Sequence, residues 1–71
     1  MEARAAMQER AKQEARAREL AGNIAPDLRE RVLRLYRDGR RIEAYREYER
    51  VSGEDLTTSV AVVDLLVATP R

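Results

Sequence analysis

Between Val60 and Ala68 the chain is apolar at every position except Asp64. A helix that is apolar nearly all round must be buried on most sides, so the fold is constrained by what can cover this segment. Leu56, Val60, Val63 and Val67 recur at intervals of four, three and four, which is a helical period. Asp55 or Thr57 can cap the start, because a side-chain oxygen there accepts from a free backbone amide. Pro70 lies just beyond the end. The valines would also suit a strand. A strand needs a partner, however, and no other segment offers one. The stretch is too short to span a bilayer and contains Asp64, so no membrane role is expected.

Three further helices are expected upstream. Residues from Glu2 to about Ala21 are mostly Ala, Arg, Glu, Gln and Lys, all strong helix formers. Ala3, Ala6, Met7, Ala17, Leu20 and Ala21 share one face, but Arg10, Gln13 and Glu14 interrupt it. This helix is expected to fray, or to pack only through Met7, Leu20 and Ile24. Gly22–Asn23 ends it, and Pro26 opens the next helix with Asp27 and Glu30 near its positive end. Leu28, Val32, Leu35 and Tyr36 form that helix's core face, and Asp38–Gly39 stops it. A third helix covers Arg41 to Val51, with Ile42, Ala44, Tyr45, Tyr48 and Val51 on its apolar side, and Ser52–Gly53 ends it.

The expected architecture is all-α: a small bundle of three or four helices with a C-terminal helical hairpin. Residues 1–22 would be a charged Ala/Arg/Glu-rich helix, and residues 23–71 a compact helical domain. The expected core is Leu28, Val32, Leu35, Tyr36, Ile42, Tyr45, Tyr48, Leu56, Val60, Val63 and Val67.

The chain has 71 residues with no cysteine and no histidine. Disulfides and thiolate or imidazole metal sites are therefore excluded, and no cofactor or metal is expected. Enzymatic activity is not expected either. Ser59 lacks a triad partner, the Glu54–Asp55 pair is explained by capping, and no glycine-rich phosphate loop occurs. Domains this short often gain stability by oligomerising or docking. The first residues, MEARAAMQER, lack the apolar stretch of a secretory leader, so a cytoplasmic protein is expected.

Two surfaces are candidates for binding. Val62, Leu65 and Leu66 would form an exposed apolar patch on the last helix, unless the first helix folds back over them. If they are exposed, Leu66→Asp should cost binding and spare helicity. Arg40, Arg41, Ile42, Tyr45 and Arg46 combine aliphatic, aromatic and arginine side chains, the usual anchors of protein interfaces. The alternative is that Ile42 and Tyr45 belong to the core. The series Arg29, Arg31, Arg34, Arg37, Arg40 and Arg41 could face phosphates, but Asp27, Glu30 and Asp38 interleave with it. With a net charge of +1, nucleic acid ranks behind protein as a partner.

Gly39-Arg40-Arg41-Ile42-Glu43-Ala44, then Ser52-Gly53, Leu56, Val63-Asp64 and Ala68-Thr69-Pro70, resemble the C-terminal domain of the bacterial ribosomal stalk protein. The resemblance covers residues 40–70, under half of the chain. It implies a helical hairpin whose first helix docks translational GTPases, with Arg41, Ile42, Tyr45 and Arg46 at its contact positions. Val60 and Glu49 stand where that family has basic residues, Glu54–Asp55 replaces its glycine-rich turn, and its β-strands have no counterpart.

The expected function is a non-enzymatic protein–protein interaction module. It would be an adaptor, or an inhibitor such as phage proteins that block a host complex, and would bind a translational GTPase or another large complex. The alternatives are a helix-turn-helix nucleic-acid-binding regulator and a homodimer or larger homo-oligomer built on the last helix.

Overall fold

The computed structural model describes the backbone of residues 2–69 and the side chains of residues 12–69. Four helices follow one another: α1 (Glu2–Gly22), α2 (Pro26–Arg37), α3 (Arg41–Ser52) and α4 (Leu56–Ala68). The fold is an all-α small bundle, with no strand among the described residues. The expected roles of Ala3, Ala6, Met7, Arg10 and Pro70 lie outside the described residues.

The helix boundaries have local causes. Ala25 precedes a proline, whose ring disfavours the helical region for its neighbour. Ala25 accordingly has ψ 138°, and Pro26 occupies the first turn of α2. At the far end the Arg40 N–H reaches back to the Leu35 carbonyl, at 2.9 Å, across Gly39. This closing pattern needs a left-handed residue, and Gly39 supplies φ +80° without a Cβ penalty. Gly53 ends α3 with the same left-handed turn, φ +78°, but there the Gly53 N–H itself reaches the Glu49 carbonyl, at 3.0 Å. Beside it the Ser52 hydroxyl donates to the Tyr48 carbonyl, at 2.6 Å, and accepts from the Glu54 N–H, at 3.2 Å.

Asp55, not Thr57, caps α4: its carboxylate accepts from the Thr58 N–H at 2.8 Å. Hydrogen bonds from the Thr58 side chain and backbone hold that carboxyl below its usual range. The charged form is thus the one the fold prefers. The cap is complete at neutral pH and is lost as pH falls through the depressed folded value. Asp55→Ala is expected to lower the melting temperature by roughly 5 °C, and Asp55→Asn by less, in thermal circular dichroism. A melting curve unchanged by the alanine would show that α4 does not depend on this cap.

Among the described residues, α4 is the one helix that packs against all three others. α2 and α3 pack on each other, and α1 packs on α4 alone. The buried apolar residues are Ala17, Leu28, Val32, Ala44, Tyr45, Tyr48, Val62, Val63 and Leu66. Leu20, Ile24, Leu35, Tyr36, Val60 and Val67 border them, half-buried.

Several expectations are corrected here. Val62 and Leu66 do not form an exposed patch. They lie in the core, because α1 returns to α4 and encloses it from a further side. α1 also packs through Ala17, which is 1% exposed, as well as through Leu20 and Ile24. Ile42 and Leu56 are exposed, not core. The buried stripe of α3 is Ala44, Tyr45 and Tyr48, and at about 100° per residue Ile42 falls onto its flank. Leu56 is the first residue of α4, where no neighbouring turn covers it.

α1 and α4 run side by side in the same direction. Arg16 reaches Glu54, just ahead of α4, at 3.0 Å. Gln13, Ala17 and Arg18 border Ala61, Leu65 and Ala68. At the end of both helices, Ala21 and Gly22 border Leu65, Leu66 and Thr69. α1 has 21 residues, about 31 Å at 1.5 Å per residue, whereas α4 has 13. The excess accounts for the elongated outline of 42 × 21 × 21 Å.

Candidate protein-docking surface

The turn Asp38-Gly39-Arg40 brings the end of α2 beside the start of α3, and an arginine–aromatic cluster forms there. The Arg41 guanidinium lies over the Tyr36 ring, 5.2 Å from its centroid. This is cation–π distance. The Tyr36 and Tyr45 rings meet edge to face, with centroids 6.4 Å apart and planes at 68°. That geometry is the one their quadrupoles favour. The Tyr45 hydroxyl then donates to Asp64 Oδ1 at 2.9 Å. Arg41, Tyr36, Tyr45 and Asp64 thus form a continuous chain of contacts that ties α2, α3 and α4 together.

Above this base lies the exposed flank of α3. Ile42 is 66% exposed, the most open of the exposed large apolar residues Ile42, Val51 and Leu56. Arg46 stands one turn further along on the same flank. Arg40 and Arg46 pair with Glu43 and Glu49 within the helix, at 3.7 and 3.5 Å, and remain largely solvated. Pairs of this kind contribute little and release easily. The flank therefore presents one aliphatic side chain among three arginines, of which Arg41 lies over the Tyr36 ring.

Of the residues expected to bind a partner, Arg40, Arg41, Ile42 and Arg46 are brought together at the surface. Tyr45 is not among them. Three positions on a helix turn through about 300°, and the edge of the core falls between Ile42 and Tyr45. Tyr45 therefore points inward as the support, while Ile42 points out. Val62 and Leu66 lie in the core, and Leu65 is half-buried beside α1. Two participants were missed by sequence reasoning. Tyr36 is the platform for Arg41, and Asp64 accepts from Tyr45. The signal for Asp64 was available, since it is the single polar residue in the Val60–Ala68 run.

Burial, then the hydrogen bond to Asp64 and its negative charge, push the Tyr45 hydroxyl up from 10.0 to about 12. The fold thus prefers the neutral phenol. Its contribution is fully present below pH 10 and is lost as pH rises through 12. Stability to denaturant is therefore expected to fall in that window, and Tyr45→Phe should flatten the fall. An equally steep alkaline loss in the phenylalanine variant would assign it to other groups.

Among the described residues no cluster of acidic side chains could hold a metal ion, and no buried side-chain nitrogen or oxygen lacks a hydrogen-bond partner. No described helix is long and apolar enough to cross a membrane. Comparison with protein-family models, with curated proteins and with solved structures finds no match to the chain.

Proposed function

We propose that the chain is a small protein-binding module, an adaptor or inhibitor, that docks a larger protein through the exposed flank of α3. The observation that carries this reading is the exposure of Ile42 between Arg40, Arg41 and Arg46. An isolated aliphatic residue on a solvated helix is unremarkable by itself. Here one of its arginine neighbours, Arg41, is already held over the Tyr36 ring, which lowers the ordering cost of binding for that side chain. Arginine beside an aliphatic anchor suits a partner surface with an apolar pocket and a carboxylate rim. Translational GTPases are the first class to test, because the resemblance over residues 40–70 implies them.

The test is capture from nuclease-treated lysate by the wild-type chain and by Ile42→Asp, with bound proteins identified by mass spectrometry. A protein retained stoichiometrically by the wild type and lost by the variant supports the reading. Equal capture by both moves the interface away from α3.

A further inference from the structure

We infer that α1 is a strap that undocks from α4 on its own, while α2, α3 and α4 stay folded. Among the described residues α1 packs against no helix but α4, and it supplies one of the nine buried apolar residues, Ala17. The other eight all belong to α2, α3 and α4, which also pack directly on one another, so most of that core is held without α1, while the sides of Val62 and Leu66 that α1 covers open when it leaves.

The side chains that α1 sets against α4 are also small. Ala17 and Ala21 are small side chains set against a broad apolar helix. Open grooves of about 540 and 760 Å³ remain along α1, and Leu65 and Arg18 line both. Both grooves are open to solvent. Across the start of α4 the strap is fastened by Arg16, whose Nη2 sits 3.0 Å from both carboxylate oxygens of Glu54. The Arg16 side chain is 61% exposed, so solvent screens this clasp. A helix that, among the described residues, buries one apolar side chain fully and is clasped by one screened ion pair belongs to the low-stability end of a fold. The side of α4 that it faces carries Ala61, Leu65 and Leu66, with Asp64 and the exposed Ala68 at its edge.

The chain has no cysteine, so single thiols are clean probes. Ala17→Cys and Ala44→Cys each replace a fully buried alanine, one under the strap and one in the core of α3. Under native conditions Ala17→Cys is expected to react with a thiol reagent at least about tenfold faster than Ala44→Cys, with a shallower dependence on denaturant. Glu54→Gln should speed the first reaction roughly threefold and leave the second unchanged. Equal rates and equal denaturant slopes would mean that α1 leaves only when the whole fold opens, which overturns the inference. Hydrogen exchange on the unsubstituted chain guards against a probe that loosens α1 itself. Amides of residues 17–22 should exchange well ahead of those of residues 62–66, and coincident exchange would overturn the inference equally.

Discussion

Leu66→Asp is expected to unfold the protein. Leu66 is 4% exposed and lies in the shared core, under α4's neighbours. Losing a buried leucine's packing costs about 2–5 kcal/mol, depending on how far the site collapses. An aspartate there must also be buried without a partner or be protonated, which adds several kcal/mol more. A chain of 71 residues is stable by roughly 4–11 kcal/mol in all. The loss matches or exceeds the total. Circular dichroism at 25 °C should show most of the helical signal gone and no cooperative melt. A variant melting within about 5 °C of the wild type would place Leu66 at the surface after all.

The same chemical change at Ile42 is expected to do the opposite. Ile42 is exposed, and it is the second residue of α3. A negative charge in the first turn favours the helix, because unpaired amides leave that end positive. Helicity and melting temperature should therefore be unchanged or slightly raised. Partner binding should fall steeply. If Ile42 is the anchor, its replacement by a hydrated carboxylate costs about 2–4 kcal/mol, or roughly 30- to 1,000-fold in affinity. Titration calorimetry against whichever protein the capture experiment returns measures it. Less than a threefold change would leave Ile42 as an ordinary solvated side chain. Leu66→Asp and Ile42→Asp together separate loss of fold from loss of contact.

Helix boundaries were legible because each has a local chemical cause. Pro26, Gly39, Gly53 and Asp55 stand where backbone geometry asks for those residue types. The core was only partly legible. A helical wheel shows an apolar face but not where its centre lies. α3 was read as burying Ile42 with Tyr45, whereas its centre runs through Ala44 and Tyr48 and leaves Ile42 outside. Small buried residues escaped for a related reason. Ala17, Ala44 and Ser59 carry too little apolar area to stand out, yet close helix crossings select them. The fate of Val62 and Leu66 rested on whether α1 returned to α4. That question concerns residues some forty positions apart and has no local signature. The arginine surface was legible in its members, while the Tyr36–Tyr45–Asp64 support beneath it needed the packing of three helices.

The spacing of contacts along the chain also orders its assembly in time. Arg31 meets Glu47 across a tight turn, the Tyr45–Asp64 bond closes 19 residues, and the Arg16–Glu54 pair closes 38. Short loops close at lower entropic cost and sooner. On loop closure α1 is therefore expected to join last, although doubling a loop adds only about 0.6 kcal/mol to its closure. Interactions formed after the barrier scarcely affect how fast a chain folds and chiefly govern how long it stays folded. The residues of α1 are thus expected to act more on the lifetime of the native state than on the speed of reaching it.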